Sequence, residues 1–190
     1  MNTKSEMRQA LRKARREHVL AQPDSIRALL FHRPPTPLLS KIGPNAAIGL
    51  YRATEYEAPS SGYASFFHEA GHTIALPRFD DKNAAMEFRQ HTDPFAESDL
   101  EPGPFDLLQP SSAAVSVVPD ILFVPLIGFT ADGERLGQGG GHYDRWLEEH
   151  PDRMTIGLAW DVQLCDDLPV EPHDVALDAV VTPTRIYGID

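Results

Sequence analysis

Arg135-Leu-Gly-Gln-Gly-Gly-Gly-His-Tyr-Asp-Arg145 is the stretch on which the fold assignment turns. Glycines at 137, 139, 140 and 141 do not suit the interior of a helix or strand, where Gly loses the most backbone entropy. They do permit positive φ and leave no Cβ in the way, so consecutive N–H groups can turn toward one anion. The residues that follow, His142–Glu149, read as a helix, and Ile121–Ile127 upstream reads as a buried strand. Strand, glycine loop and helix N-terminus together place oriented amides and a helix dipole against phosphate. Arg135 and Arg145 add positive charge, and Asp144 adds a carboxylate able to hold Mg²⁺ beside the phosphates. A plainer reading makes the stretch a long connector whose glycines serve tight turning alone. Neither of the two commonest phosphate signatures, G-x-x-x-x-G-K-[ST] or a well-placed G-x-G-x-x-G, is present.

Outward from this loop, the size and composition set limits. A chain of 190 residues with 42% hydrophobic and 24% charged residues is that of one ordinary globular domain, 1–190. The net charge of −11 argues against nucleic acid and anionic membrane as partners. It is unevenly spread, since residues 1–33 carry a net +5, which leaves −16 for the remainder. A basic N-terminal segment on an acidic protein fits a polyanionic small molecule. Cys165 stands alone, which excludes an intramolecular disulfide and points to a reducing, cytoplasmic setting. No apolar run approaches a membrane span, and the N-terminus lacks the apolar core of a secretory signal.

Taken in order, residues 3–20 read as a helix with Met7, Leu11, Ala14 and His18 on its inward stripe. Lys4, Arg8, Arg12 and Arg15 form a neighbouring row, either a solvated face or a set of cations leaning over a cleft. A second helix is expected from Pro23-Asp24 to just before Arg33, and residues 34–45 form a connector. Ala46–Tyr51 reads as a buried strand, with a carboxylate-bearing loop, Glu55-Tyr56-Glu57, and a helix at Ser61–Gly71 after it. His72–Pro77 is the next strand, and Ala85–Arg89 alternates like an edge strand. Residues 91–113 read as loop, Thr155–Trp160 as a strand and Ala179–Thr182 as a last short strand, with 183–190 packed on the surface. Alternating helices and short apolar strands predict an α/β fold with a mainly parallel sheet flanked by helices. His68 and His72 have an i, i+4 spacing but no Cys partners, so no zinc site is expected.

The stretch R-L-G-x-G-x-G-x-Y-D-R resembles the signature of the 5-formyltetrahydrofolate cyclo-ligase family, also called methenyltetrahydrofolate synthetases. Further pieces follow in the family's order: Lys4-x-x-x-Arg8, the acidic loop at 55–57, Leu76-Pro-Arg78, Val162-Gln163, and Pro169 through Glu171 to His173-Asp174. The resemblance implies ATP- and Mg²⁺-dependent conversion of 5-formyltetrahydrofolate to 5,10-methenyltetrahydrofolate, with release of ADP and phosphate. It implies that Lys4, Arg8, Arg135, Gly137, Gln138, Gly139, Gly140, Gly141, His142 and Tyr143 bind ATP. Lys4 and Arg145 would be catalytic, Leu50, Glu55 and Tyr143 would meet the folate, and Asp144 and Asp174 would hold Mg²⁺. Arg78 would face the cleft. The partners implied are small molecules only, for a monomer or weak homo-oligomer. Four positions depart from the family pattern: Asp106 for Gly, Gln109 for Glu, Thr130 for Asp and His142 for Tyr; the last three bear on the site. They support a competing reading, a folate- or nucleotide-binding relative without catalysis. A sugar-phosphate isomerase or CoA-transferase relative on a similar scaffold is a second competitor, and an interaction domain is a third.

Overall fold

Ile121-Leu-Phe-Val124 has every side chain buried, as a strand covered on both faces requires. In the computed structural model, which describes residues 3–172 and 174–189, this strand is the middle one of a seven-stranded sheet. In chain order the strands are β1 (Ala47–Gly49), β2 (Thr73–Arg78), β3 (Glu87–Gln90), β4 (Leu100–Pro102), β5 (Leu108–Pro110) and β6 (Ile121–Val124). They continue as β7 (Gly128–Phe129), β8 (Arg135–Leu136), β9 (Met154–Leu158), β10 (Ala179–Val181) and β11 (Ile186–Tyr187). The helices are α1 (Lys4–Ala21), α2 (Asp24–Arg27), α3 (Thr36–Leu39), α4 (Ser61–Glu69) and α5 (His142–Glu149).

The sheet order is β11-β10-β9-β6-β1-β2-β3. The inner strands β10, β9, β6, β1 and β2 run parallel, and each edge strand joins antiparallel. Period-2 alternation divides the core between the two faces. Ile121 and Phe123 join Ile48, Ile74, Tyr63 and Phe67 in a cluster that includes α4 and Val19 of α1. Leu122 and Val124 join Trp146 and Leu147 of α5. From β1 the chain moves across the sheet to β2 and β3, then returns to the other side of β1 with β6, β9 and β10. That reversal leaves a crevice outside the carboxyl ends of β1 and β6, where open α/β sheets take their ligands.

The sequence predicts the parallel sheet and the edge position of β3 correctly, and it errs where elements are short. The second helix stops at Arg27, after which the chain turns through Phe31 at φ 57°. The 34–45 connector contains α3, and the 91–113 loop contains the β4–β5 hairpin. Gly128 begins a second hairpin, β7–β8, and the C-terminal tail supplies β11. These strands are two or three residues long, too short for periodicity to reveal.

α1 starts at a capping box: the Glu6 N–H donates to the Thr3 hydroxyl and the Thr3 N–H donates to the Glu6 carboxylate. Its inward face is rotated from the expected stripe. Met7 and Leu11 are only partly buried, against Ile127, Leu136 and Leu168, whereas Arg15 and Val19 are the buried positions. One member of the cation row, Arg15, is thus carried inside. No helix among the described residues is long and apolar enough to cross a membrane.

Candidate active site

Gly141 sets the geometry of the glycine loop. It sits in the left-handed region, φ 65° and ψ 13°, as the N-cap of α5, and no side chain caps that helix. A Cβ there would lie 2.9 Å from Arg145 Nη1. Only Gly turns the chain this way without strain, and the first N–H groups of α5 are left for a ligand. Three cations of α1 hold or border the loop. Arg8 Nε donates to the Gly137 carbonyl at 2.9 Å, and Arg12 Nη2 donates to the Gln138 carbonyl and side-chain oxygen, both at 3.1 Å. Lys4 Nζ donates to Glu171 at 2.6 Å and Asp174 at 2.7 Å. Burial opposes the Lys4 charge, but those two carboxylates outweigh it and raise its pKa above the ordinary lysine value.

These groups line a cavity of about 240 Å³ together with Arg135, Gly137, Gln138, Gly139, Gly140, Gly141, His142, Tyr143 and Asp144. Arg135 is almost fully buried, Nη2 bonds Asp144, and Nε has no partner. The His142 pKa is lowered by burial and then by Arg145, so the ring is neutral at neutral pH. It packs edge-on against Phe79 at 4.9 Å between centroids. Among the described residues no three His, Cys, Asp or Glu side chains gather as a metal cage.

A second cavity of about 390 Å³ adjoins the first and shares Phe79, Pro125, Gln138 and Tyr143 with it. Its other walls are Phe105, Leu107, Leu108 and Pro77, with Arg12, Arg15, Tyr51, Arg52 and Glu57 at the polar end. Glu57 Oε1 accepts from Gln138 Nε2 at 2.5 Å, so Glu57 as well as Arg12 ties the apolar cavity to the glycine loop. Burial, and then the Glu57 charge, raise the Tyr143 pKa far above the usual phenol value. Both cavities open at the carboxyl ends of β1, β2 and β6, at the switch point of the sheet.

A family model described as the 5-formyltetrahydrofolate cyclo-ligase family matches residues 1–183. The chain belongs to that family. The Escherichia coli K12 protein named 5-formyltetrahydrofolate cyclo-ligase is 47% identical over 70 residues, 36% of this chain and 38% of that protein. The mitochondrial protein of that name from Arabidopsis thaliana is 31% identical over 135 residues, 61% of this chain and 49% of the relative. The matched stretches thus span half or less of these two relatives. The fold is shared with the Aquifex aeolicus 5,10-methenyltetrahydrofolate synthetase at a TM-score of 0.73. That match has 23% identity and covers 98% of this chain and 93% of the other.

Against the residues expected for a cyclo-ligase, the structure brings Lys4, Arg8, Arg135, the loop 137–141, His142, Tyr143, Asp144 and Asp174 into one cavity. His173, in the same quoted stretch, lies outside the described residues. Arg145 is not in the cavity lining. It is exposed and folds back on the outside of the loop, donating to the Gly140 carbonyl at 2.9 Å and contacting His142 Nδ1 at 3.1 Å. Leu50, fully buried, and the exposed Glu55 line a third cavity of about 330 Å³, which shares Tyr51, Arg52, Thr54 and Glu57 with the aromatic one. Glu57 is the carboxylate that turns inward, because its Oε2 accepts the Thr54 N–H at 2.8 Å and closes the turn. Arg78 is absent from the cleft walls; it binds Glu101 and the Pro110 carbonyl, both at 2.8 Å, and so anchors the β4–β5 hairpin. Sequence reasoning missed Phe79 and Phe105 altogether, for an aromatic pair separated by 26 positions carries no periodic signal.

The departures from the family pattern at 109 and 130 have structural explanations. Gln109 is buried; its Oε1 accepts the Phe79 N–H at 3.1 Å and its Nε2 donates to the Phe79 carbonyl at 3.0 Å. A carboxylate could serve only the first of these bonds. Thr130 accepts the Glu134 N–H at 3.2 Å within the β7–β8 hairpin. Gln163, also buried, donates to the carbonyls of Leu126 and Ile127 at 3.0 Å each and fixes the chain leaving β6. Gln109→Leu is expected to cost about 2 kcal/mol, since it strands two backbone groups of Phe79. For a chain of this size that lowers Tm by roughly 4–8 °C, measurable by circular dichroism melting. An unchanged Tm would remove Gln109 as the support of Phe79.

Proposed function

We propose that this protein converts 5-formyltetrahydrofolate to 5,10-methenyltetrahydrofolate with hydrolysis of ATP to ADP and phosphate. The observation that carries this reading is the pair of adjoining cavities. One is lined by glycine amides, lysine and arginine, the other by aromatic rings, and they share the wall Phe79, Pro125, Gln138 and Tyr143. Phosphate of one substrate and a flat ring of the other then meet at that wall.

The chemistry needs little covalent help from the protein. The formyl oxygen is a poor leaving group, so it attacks the γ-phosphorus, the bond to the β-phosphate oxygen breaks, and ADP leaves. The N10 nitrogen then attacks the activated formyl carbon and loses its proton. The C–O bond breaks and inorganic phosphate departs, leaving the methenyl bridge. Positioning and charge neutralisation carry phosphoryl transfer. Lys4, Arg8 and Arg135 supply the positive charge, and the loop 137–141 with the start of α5 supplies N–H donors. Asp144 and Asp174 line the same cavity, each beside a cation, and two carboxylates suit Mg²⁺ that arrives with phosphate oxygens. When bound, Mg²⁺ would neutralise phosphate charge there. Glu57, rather than Glu55, is the carboxylate we place at the folate ring, and Arg145 steadies the loop from outside.

In this reading residues 1–190 form a single cytoplasmic domain acting on small molecules, as a monomer or weak homo-oligomer. The test is the absorbance rise of the methenyl product when protein is mixed with 5-formyltetrahydrofolate, Mg²⁺ and ATP. The rise is expected to vanish without ATP and with EDTA. No rise from folded protein that binds ATP would overturn the assignment.

A further inference from the structure

Arg15 lies three turns along α1 from Lys4, with its side chain 8% exposed, and it lines the aromatic cavity. Its protein partners are few for a group with five N–H donors. Nη1 reaches the Leu126 carbonyl at 3.4 Å and Glu57 Oε1 at 3.9 Å, while Nε has no partner. Burial works against its charge and lowers its pKa, with Glu57 in partial compensation. Glu57, 6% exposed at the side chain, accepts one bond at each oxygen and has acceptor capacity to spare. A buried charge pair at 3.9 Å is too open to satisfy itself. It presents donors and acceptors side by side to the same cavity.

We propose that Arg15 is a substrate-binding residue that reads the pyrimidinone edge of the reduced pterin ring. Its guanidinium donates to the ring carbonyl oxygen, and Glu57 accepts from the ring N–H beside it. Phe79, Phe105 and Tyr143 give that flat ring its apolar walls. The contact rests on the cyclo-ligase reading and adds to it a residue and the ring edge that it recognises. Lysine cannot replace the arginine, because an ammonium lacks the planar fork that holds the Leu126 carbonyl and the ring carbonyl at once.

The experiment compares wild type and Arg15→Lys for binding of tetrahydrofolate, 5-formyltetrahydrofolate and ATP, each alone, by calorimetry. The expected result is at least a 10-fold rise in Kd for both folates with the Kd for ATP within twofold. A folded variant whose folate Kd stays within twofold of wild type would overturn the proposal. So would a loss confined to the formylated folate, which would place the contact on the formyl oxygen. The Arg15 Nε–H resonance in ¹⁵N-labelled wild type gives a second readout that does not depend on the variant folding. It should shift on adding tetrahydrofolate, and its failure to move under saturating folate would also overturn the proposal. Wild type that binds neither folate would overturn the cyclo-ligase reading itself, a result distinct from the other two.

Discussion

Lys4→Met is expected to lower kcat/KM for ATP by about 100-fold, the usual loss when one preorganised donor to a transferring group is removed. Met comes within one atom of the lysine side chain's length and removes its charge and its N–H donors. Lys4 stands between Glu171 and Asp174, at 2.6 and 2.7 Å, and faces the loop 137–141 across the cavity. Without it the two carboxylates repel incoming triphosphate. Because those carboxylates raise the Lys4 pKa above the ordinary value, the charge persists throughout the neutral range. The loss should therefore be the same at pH 6.5 and pH 8.5. Initial rates at saturating 5-formyltetrahydrofolate give the measurement, with the folate Kd as control. A change of less than threefold would take Lys4 out of the catalytic machinery.

Gly133→Val should produce the largest loss of stability. Gly133 turns the β7–β8 hairpin at φ 89°, where a β-branched residue is strained. A Cβ there would also lie 2.3 Å from the Leu177 carbonyl oxygen. That oxygen is backbone, and the Leu177 N–H is itself bonded to the Gly133 carbonyl at 2.8 Å, so neither side can swing away. Strain and overpacking together cost about 3–5 kcal/mol. The expected fall in Tm is roughly 10 °C. The hairpin leads directly into the glycine loop, so ATP affinity should weaken as well. A Tm within 3 °C of wild type would show that the turn adapts.

What was legible in the sequence follows from how local the cause is. The glycine loop and α5 were legible because four glycines followed by an amphipathic run leave the backbone few choices. The parallel sheet was legible because β6 is apolar throughout and β9 nearly so. The sequence favours Glu55 over Glu57, whereas a Thr54 N–H and a Gln138 amide, one local and one 81 positions away, turn Glu57 inward. Arg135 and Arg145 flank the same loop, yet β8 carries the first inside and the first turn of α5 carries the second outside. The row that holds Arg15 reads equally as a solvated face or as cations over a cleft; the burial of Arg15 depends on Glu57 and Leu126, which no helical period can anticipate.

The four cations of α1 also make that helix a ruler. Lys4 and Arg8 face the glycine-lined cavity, and Arg12 and Arg15 face the aromatic one. Eleven residues separate the first from the last, about 16 Å of helix axis at ~1.5 Å per residue. Spacings of four, four and three keep all four within one phase of the helical turn. Changing any one side chain removes one contact and leaves the others in step. Inserting or deleting one residue between Arg8 and Arg12 would instead turn everything beyond it by about 100°. Arg12 and Arg15 would swing off the cleft together while Lys4 and Arg8 stayed in place. The length of this helix segment is thus fixed more tightly than the identity of any residue on it.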